Sequence, residues 1–410
     1  GAAPRLAQEL SRRPGMLDAV LEPTFFSHVP DCQEIKSTLS AQVPQSLAFD
    51  QVLDQCRIVG REQMFRIGVR ILTDTLSAQD AAKAYSNLAQ GLIERLLQAV
   101  QADLEPRYGV VAGGNVCIVA MGKLGGREMT AASDLDLIVI YDHDEDATAS
   151  SGPKTLSPNQ YFARLTQRLI SALTAPTPEG VLYEVDMRLR PSGNKGPIAT
   201  RLSSFVDYQK NSAWTWEKMA LTRARVVAGD SNFGIKVDKA IADCLCAERD
   251  AQTVIDDAVK MRQTMLASKK PTSPWDLKSI PGGMVDIEFI VQVLQITNAR
   301  QMPEILSQNI LEAVKNLTDN SVLDLPTARQ LESACRLYQQ LTQILKLGID
   351  GPFDPERSPP GLTKLINAAT ASPDLATSHV LLEELQLSIR EIFKTILSAD
   401  NSAGPSGRTS

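Results

Sequence analysis

Over residues 6–100 apolar side chains recur at three and four spacing, in segments such as 52–72 and 81–100, which predicts a helical lead-in domain spanning 1–110. The period changes at Gly113-Gly114. Val116-Cys117-Ile118-Val119-Ala120-Met121 is a short apolar run opened by glycines and closed by Gly122, as a buried strand requires. A second such run covers 135–141, and the acidic, then Ser-, Gly- and Pro-rich stretch 142–158 predicts an exposed, mobile loop apart from the chemistry. Residues 162–173 have the spacing of an amphipathic helix, while 183–190 alternate apolar with charged residues like a strand open on one face. Strands and helices therefore interleave over 111–230, a second domain. Beyond Asp230 the helical period returns and lasts to about Ala399, broken at 269–283 and near 351–361, which predicts a C-terminal bundle over 231–399. The Ser- and Gly-rich tail 400–410 is expected to be disordered. The fold class is α+β: a helical N-terminal region, a central domain with a small mixed sheet, and a C-terminal helical bundle.

Composition narrows the function. A chain of 410 residues exceeds what one core serves, and 43% apolar with 22% charged residues is ordinary for a globular protein. The net charge of −6, from 42 basic and 48 acidic side chains, disfavours a nucleic-acid footprint. Six cysteines lack zinc-site spacing and disulfide density, and read as reduced core residues. His28, His143 and His379 do not fall in a hydrolase pattern. No apolar stretch is long enough to span a bilayer and no signal peptide opens the chain, so a cytoplasmic protein without a membrane partner is expected. The missing initiator methionine points to a piece of something longer.

The chemistry concentrates in Met121-Gly122-Lys123-Leu124-Gly125-Gly126-Arg127-Glu128 and the following Ser133-Asp134-Leu135-Asp136. On a strand, side chains two apart share a face, so Asp134 and Asp136 project together. Two carboxylates suit Mg²⁺, which keeps several waters and is completed by substrate phosphates. The implied substrate is a nucleoside triphosphate. Gly122, Gly125 and Gly126 permit close backbone approach to its phosphates, with Lys123 adding a point charge. The spacing is not that of a Walker A loop, which disfavours a P-loop kinase. A third acid stands in Glu184-Val185-Asp186-Met187-Arg188-Leu189-Arg190. As a strand this would place Glu184, Asp186, Arg188 and Arg190 on one face, able to hold a second metal and bind phosphate.

Strand, glycine turn, Asp-x-Asp strand and third aspartate follow one another in the order of the polymerase-β nucleotidyltransferase superfamily. More specifically, Met121-Gly-Lys-Leu-Gly-Gly, Ser133-Asp-Leu-Asp, Asp186-Met-Arg-Leu-Arg-Pro-Ser-Gly and Gly282-Gly-Met-Val-Asp-Ile-Glu-Phe resemble the glutamine synthetase adenylyltransferase family, over roughly residues 5–395. That family has two related halves, one transferring AMP from ATP to a tyrosine of glutamine synthetase and one removing it by phosphorolysis. Arg190-Pro191-Ser192-Gly193, residues 208–217 and the polar tail are similar to the carboxy-terminal, adenylylating half. The deadenylylating half and a PII-uridylyltransferase-like enzyme are the alternatives. The resemblance implies Asp134, Asp136 and Asp186 as metal ligands and catalytic acids. It implies Gly122, Lys123, Gly125, Gly126, Ser133, Arg188 and Arg190 as nucleotide contacts, ATP as substrate, and a two-metal Mg²⁺ site. It further implies glutamine synthetase as protein substrate, with glutamine and a PII signalling protein as regulators. Trp214 and Trp216 are expected on a helix packed on the catalytic domain, and Asp286 and Glu288 at a helix start where acids complement the dipole.

Overall fold

The computed structural model describes residues 10, 30–268, 270–271 and 273–397; the helical reading over most of 6–29 and the disordered tail at 400–410 lie outside them. The described residues form fourteen α-helices and five strands. They fall into two compact units, one within Leu6–Ala213 and Arg223–Cys244, the other within Trp214–Thr222 and Leu245–Ser410.

In the first unit, α1 (Cys32–Gln42) opens on a capping box in which Asp31 accepts from Glu34 N–H and Glu34 accepts from Asp31 N–H, both at 2.8 Å. α2 (Phe49–Leu72) and α3 (Ala78–Tyr108) pack together, and both extend the helices expected from periodicity. A Cβ on Gly91 of α3 would lie 2.8 Å from Ile35 Cγ2, so the missing side chain lets α1 approach α3. β1 (Asn115–Ala120) leads through a single helical turn, α4 (Gly122–Gly125), to β2 (Leu135–Asp142). The two strands run antiparallel, with Asn115 opposite Asp142 and Ala120 opposite Leu137. Both are almost wholly buried, which explains continuous apolar runs rather than alternation. α5 (Pro158–Thr174) packs its Phe162, Leu165 and Leu169 inward. β3 (Val185–Asp186) and β4 (Thr200–Arg201) both join β2 in parallel at its free side, α6 (Leu202–Asn211) follows, and β5 (Arg225–Gly229) closes the other edge against β1.

Arg57 of α2 was not expected to matter, yet it is fully buried. Its guanidinium donates to the carbonyls of Leu53, Ala172, Ala175 and Gly180 at 2.7–2.9 Å. It thereby satisfies orphan carbonyls at the C-terminus of α5.

The second unit holds α7 (Thr215–Leu221), the tail of α8 (Ser231–Leu245), and α9 (Ala251–Ser268), α10 (Met284–Asn298), α11 (Ile310–Asp319), α12 (Leu325–Gly348), α13 (Pro360–Thr370) and α14 (Leu375–Ile396). The breaks expected at 269–283 and near 351–361 fall between α9 and α10 and between α12 and α13, and a third of similar length, 299–309, which the pattern did not place, separates α10 from α11. Asp286 does more than complement a dipole. It is completely buried, pairs with Arg262, accepts from Arg390 Nη1 at 3.1 Å and from Gly282 N–H at 2.7 Å. Gly282 has φ +81°, and a Cβ there would lie 1.8 Å from the Gln386 carbonyl oxygen. The Gly282-Gly283 segment thus ties α9, α10 and α14 into one buried ion network.

Three expectations need correction. The strand expected over 183–190 is a ladder of two residues, because the Asp186 carboxylate accepts the Arg188 N–H at 2.8 Å and turns the chain. The 142–158 segment is a largely exposed loop, as expected, but it is fastened: Arg201 donates to Asp142 Oδ1 and Glu145 Oε1, while Ser151, Gly152 and Lys154 N–H donate to the carbonyls of Val110, Tyr108 and Arg107. Finally, Trp214 stands 70% exposed at the N-cap of α7, a helix that belongs with the second unit and packs on α9 and α10.

Candidate active site

Asp134 and Asp136 flank the buried Leu135 at the start of β2, where strand geometry sends their side chains to the same face. Parallel pairing of β3 sets Asp186 directly beside Asp136, and Leu135 N–H donates to the Glu184 carbonyl at 2.9 Å to hold that register. One carboxylate oxygen from each of Asp134, Asp136 and Asp186 lies within 4.8 Å of the others. The glycine turn leans on this cluster. Met121 N–H donates to the Asp136 carbonyl at 2.9 Å, and Gly122 takes φ +53° with its Cα so close that a Cβ would lie 2.4 Å from Asp136 Oδ2. Only glycine leaves the Asp136 carboxylate its place.

The electrostatics are set by one partner. Arg188 Nε donates to both carboxylate oxygens of Asp186, at 3.0 and 2.8 Å, and this bond together with the Arg188 N–H holds the carboxyl below the usual carboxylate range. Arg188 itself is largely exposed, and the pairing raises its own pKa. A cavity of about 480 Å³ opens here, lined by Asp134, Glu184, Asp186, Arg188, Arg190 and Asn194 among others. Three hard oxygen donors converging beside a glycine that makes room for one of them fit Mg²⁺, and the fit rests on the donor set and its spacing.

The remaining expected residues divide into two groups. Arg190 reaches the cavity wall, its Nη1 donating to the Met187 carbonyl at 2.8 Å. Ser133 closes the turn before β2, its Oγ accepting the Thr130 N–H at 2.9 Å. Gly125 and Gly126 turn their N–H groups back into the helical turn. Their N–H groups donate back to the carbonyls of Met121 and Gly122 at 3.0 Å, and a Cβ on Gly125 would lie 1.7 Å from the Arg223 carbonyl oxygen. Neither has a positive φ, unlike Gly122. Lys123 is half-buried within this turn.

Two residues that the pattern did not single out fasten the turn from behind. Arg223 pairs with Glu128 in a buried ion pair, and Arg225 donates to the carbonyls of Leu124 and Gly125 at 3.1 and 3.2 Å. Burial lowers the Arg225 pKa to about 10. Both arginines precede or begin the short strand β5, whose pairing with β1 brings them against the turn. Only the basic spacing in Arg223-Ala224-Arg225 hinted at them.

With the site in view, the chain can be set beside known proteins. Residues 1–240 match the family model described as glutamate-ammonia ligase adenylyltransferase. The chain belongs to that family. Residues 256–350 match a second model, GlnD PII-uridylyltransferase. Among curated relatives, a protein of Bradyrhizobium diazoefficiens named bifunctional glutamine synthetase adenylyltransferase/adenylyl-removing enzyme is 44% identical over 403 residues, covering 98% of this chain and 40% of its own length. Identically named proteins of Rhodopseudomonas palustris and Mesorhizobium japonicum are 43% and 44% identical over 401 and 406 residues, again covering 40% of their length. The chain therefore spans less than half of the relatives it matches. Among the described residues, no helix of this family member is long and apolar enough to cross a membrane.

Proposed function

We propose that this chain is an adenylylating enzyme half, which transfers AMP from ATP to a tyrosine of glutamine synthetase and releases pyrophosphate. The observation that carries the reading is the convergence of Asp134, Asp136 and Asp186 within 4.8 Å beside Gly122. Asp134, Asp136 and Asp186 would hold Mg²⁺, whose charge stabilises the attacking and leaving oxygens of an in-line displacement at phosphorus. The protein's own residues do the rest by position and charge. The glycine turn, braced by Arg223 and Arg225, leaves room for the Asp136 carboxylate beside Asp134 and Asp186. Arg188 and Arg190 line the same cavity as donors for phosphate oxygens. Arg188 holds the Asp186 carboxyl low and so keeps it ionised, the form that either a metal ligand or a proton acceptor requires.

The relatives are named for both transfer and removal of the adenylyl group, so the direction needs its own support. The resemblance of Arg190-Pro191-Ser192-Gly193 and of residues 208–217 to the carboxy-terminal half supports the adenylylating direction. Regulation by glutamine and a PII protein belongs to the same proposal, supported by the match of 256–350 to a family named for PII. Two assays run in parallel decide the direction. The proposal expects label from ATP to reach unmodified glutamine synthetase, and expects no ADP from adenylylated glutamine synthetase plus phosphate; the opposite pair of results would assign the removing half. Label arriving from UTP but not from ATP would reject the adenylyl reading altogether.

A further inference from the structure

Outside the aspartate cavity, the first unit contains a second recess, of about 670 Å³, which shares no lining residue with the first. Arg107, Lys154, Arg164 and Arg168 line it, against one carboxylate, Asp103. On a chain of net charge −6, a local surplus of three positive charges in one concavity is a departure from the rest of the surface. Asp103 neutralises only Arg168, at 3.0 Å. Arg164 is bonded to a neutral group, the Tyr108 hydroxyl, and lies over the same ring at 5.0 Å. The side chains of Arg107 and Lys154 have no hydrogen bond or ion pair among the described residues.

The recess is built rather than assembled from loose side chains. Three segments supply its cations: the last turn of α3, the 150–154 segment and α5. The first two are pinned together by the N–H groups of Gly152 and Lys154, which donate to the carbonyls of Tyr108 and Arg107 at 2.9 and 3.1 Å. The approach is so close that a Cβ on Gly109 would lie 2.3 Å from Gly152 N, and one on Gly152 would lie 2.2 Å from the Tyr108 carbonyl carbon. Arg107 alone could be answering the dipole at the end of α3, but those carbonyls are already bonded and Lys154 and Arg164 come from elsewhere in the chain.

We infer that this recess binds a small oxyanion carrying at least two negative charges, a phosphoryl or polycarboxylate group, at a site separate from the aspartate cavity. Its volume lies in the range of small-ligand pockets, and guanidinium groups on fixed backbones offer paired donors to phosphate or carboxylate oxygens. Calorimetry on the whole chain in metal-stripped, low-salt buffer tests this, with pyrophosphate and citrate as the two probes. Removing metal leaves the aspartate cluster negatively charged and repellent to both. Binding of at least one probe is expected, weakened by added salt. Pyrophosphate alone would mark a phosphoryl site, and citrate binding would extend it to carboxylates. Lys154→Gln with Arg164→Gln should weaken binding by about tenfold or more on the usual worth of charge-assisted hydrogen bonds, while Asp134→Asn leaves it unchanged. All three positions are exposed, and melting curves matching the parent would verify folding. Absence of binding by both probes overturns the inference, as does binding that survives in the Lys154→Gln/Arg164→Gln protein.

Discussion

Asp134, Asp136 and Asp186 are chemically identical but differently placed, and their roles should separate accordingly. The first two adjoin the glycine turn on β2, so Asp134→Asn or Asp136→Asn should weaken Mg²⁺–ATP binding and abolish transfer together. Asp186 comes from β3 and is held by Arg188. Asp186→Asn is expected to bind Mg²⁺–ATP within about threefold of the parent, while transfer falls about 100-fold or more. Calorimetry beside a labelled-transfer assay checks both; near-normal transfer would place Asp186 outside the reaction. The six cysteines are all free, and they divide by burial. Burial pushes the thiols of Cys56 and Cys117 up to about 12, so at pH 8 only about one part in ten thousand is thiolate. Alkylation of the native protein should reach the half-buried Cys32, Cys244 and Cys246 and spare Cys56 and Cys117, as read by mass spectrometry of peptides.

At the scale of elements, what the sequence made legible was what local periodicity controls. α2, α3 and α5, and the apolar strands β1 and β2, all stand where three-four spacing or continuous apolar runs placed them. The two carboxylates of the Asp-x-Asp pair were equally readable, since their common face follows from strand geometry alone. β3 and β4 were not readable as two-residue ladders, because their extent is decided by tertiary pairing with β2 and by the Asp186–Arg188 turn. Arg57, Arg223 and Arg225 were hidden for a related reason: each acts on carbonyls or acids distant in the chain. The glycine turn separates conformation from contact. Gly122 and Gly193 both have φ near +53°, yet a Cβ on Gly122 would strike Asp136 whereas one on Gly193 meets nothing closer than 3.5 Å. Gly122→Ala and Gly193→Ala should therefore lose comparable stability from left-handed strain, about 1–2 kcal/mol each. Only Gly122→Ala should also lose Mg²⁺–ATP affinity, by about 10–100-fold, the usual cost of disturbing a ligand's support. Equal affinity in both variants, measured by calorimetry, would show that the Asp136 carboxylate is free to relocate.

Among the described residues, each compact unit holds a buried ion system of its own: Arg223 with Glu128 behind the glycine turn, and Asp286 with Arg262 and Arg390 among the C-terminal helices. Removing one partner of a buried pair strands the others without compensation. Asp286→Ala should cost about 3–5 kcal/mol, visible as faster amide hydrogen exchange in α9, α10 and α14 while β1 and β2 keep their protection. Uniformly faster exchange would mean that the units do not open independently. The Gly282-Gly-Met-Val-Asp-Ile-Glu-Phe stretch, which carried part of the family resemblance, thus has a structural reason for its residues: a left-handed glycine against Gln386 and an acid that gathers two arginines. The catalytic claim rests instead on the three aspartates of the first unit. Its most direct test is transfer of label from α-labelled ATP to purified glutamine synthetase, with the parent chain and Asp136→Asn compared at equal, verified folding. The account predicts labelled glutamine synthetase with the parent and none above background with Asp136→Asn. Undiminished labelling by Asp136→Asn, or none by a folded parent chain supplied with Mg²⁺, would contradict it.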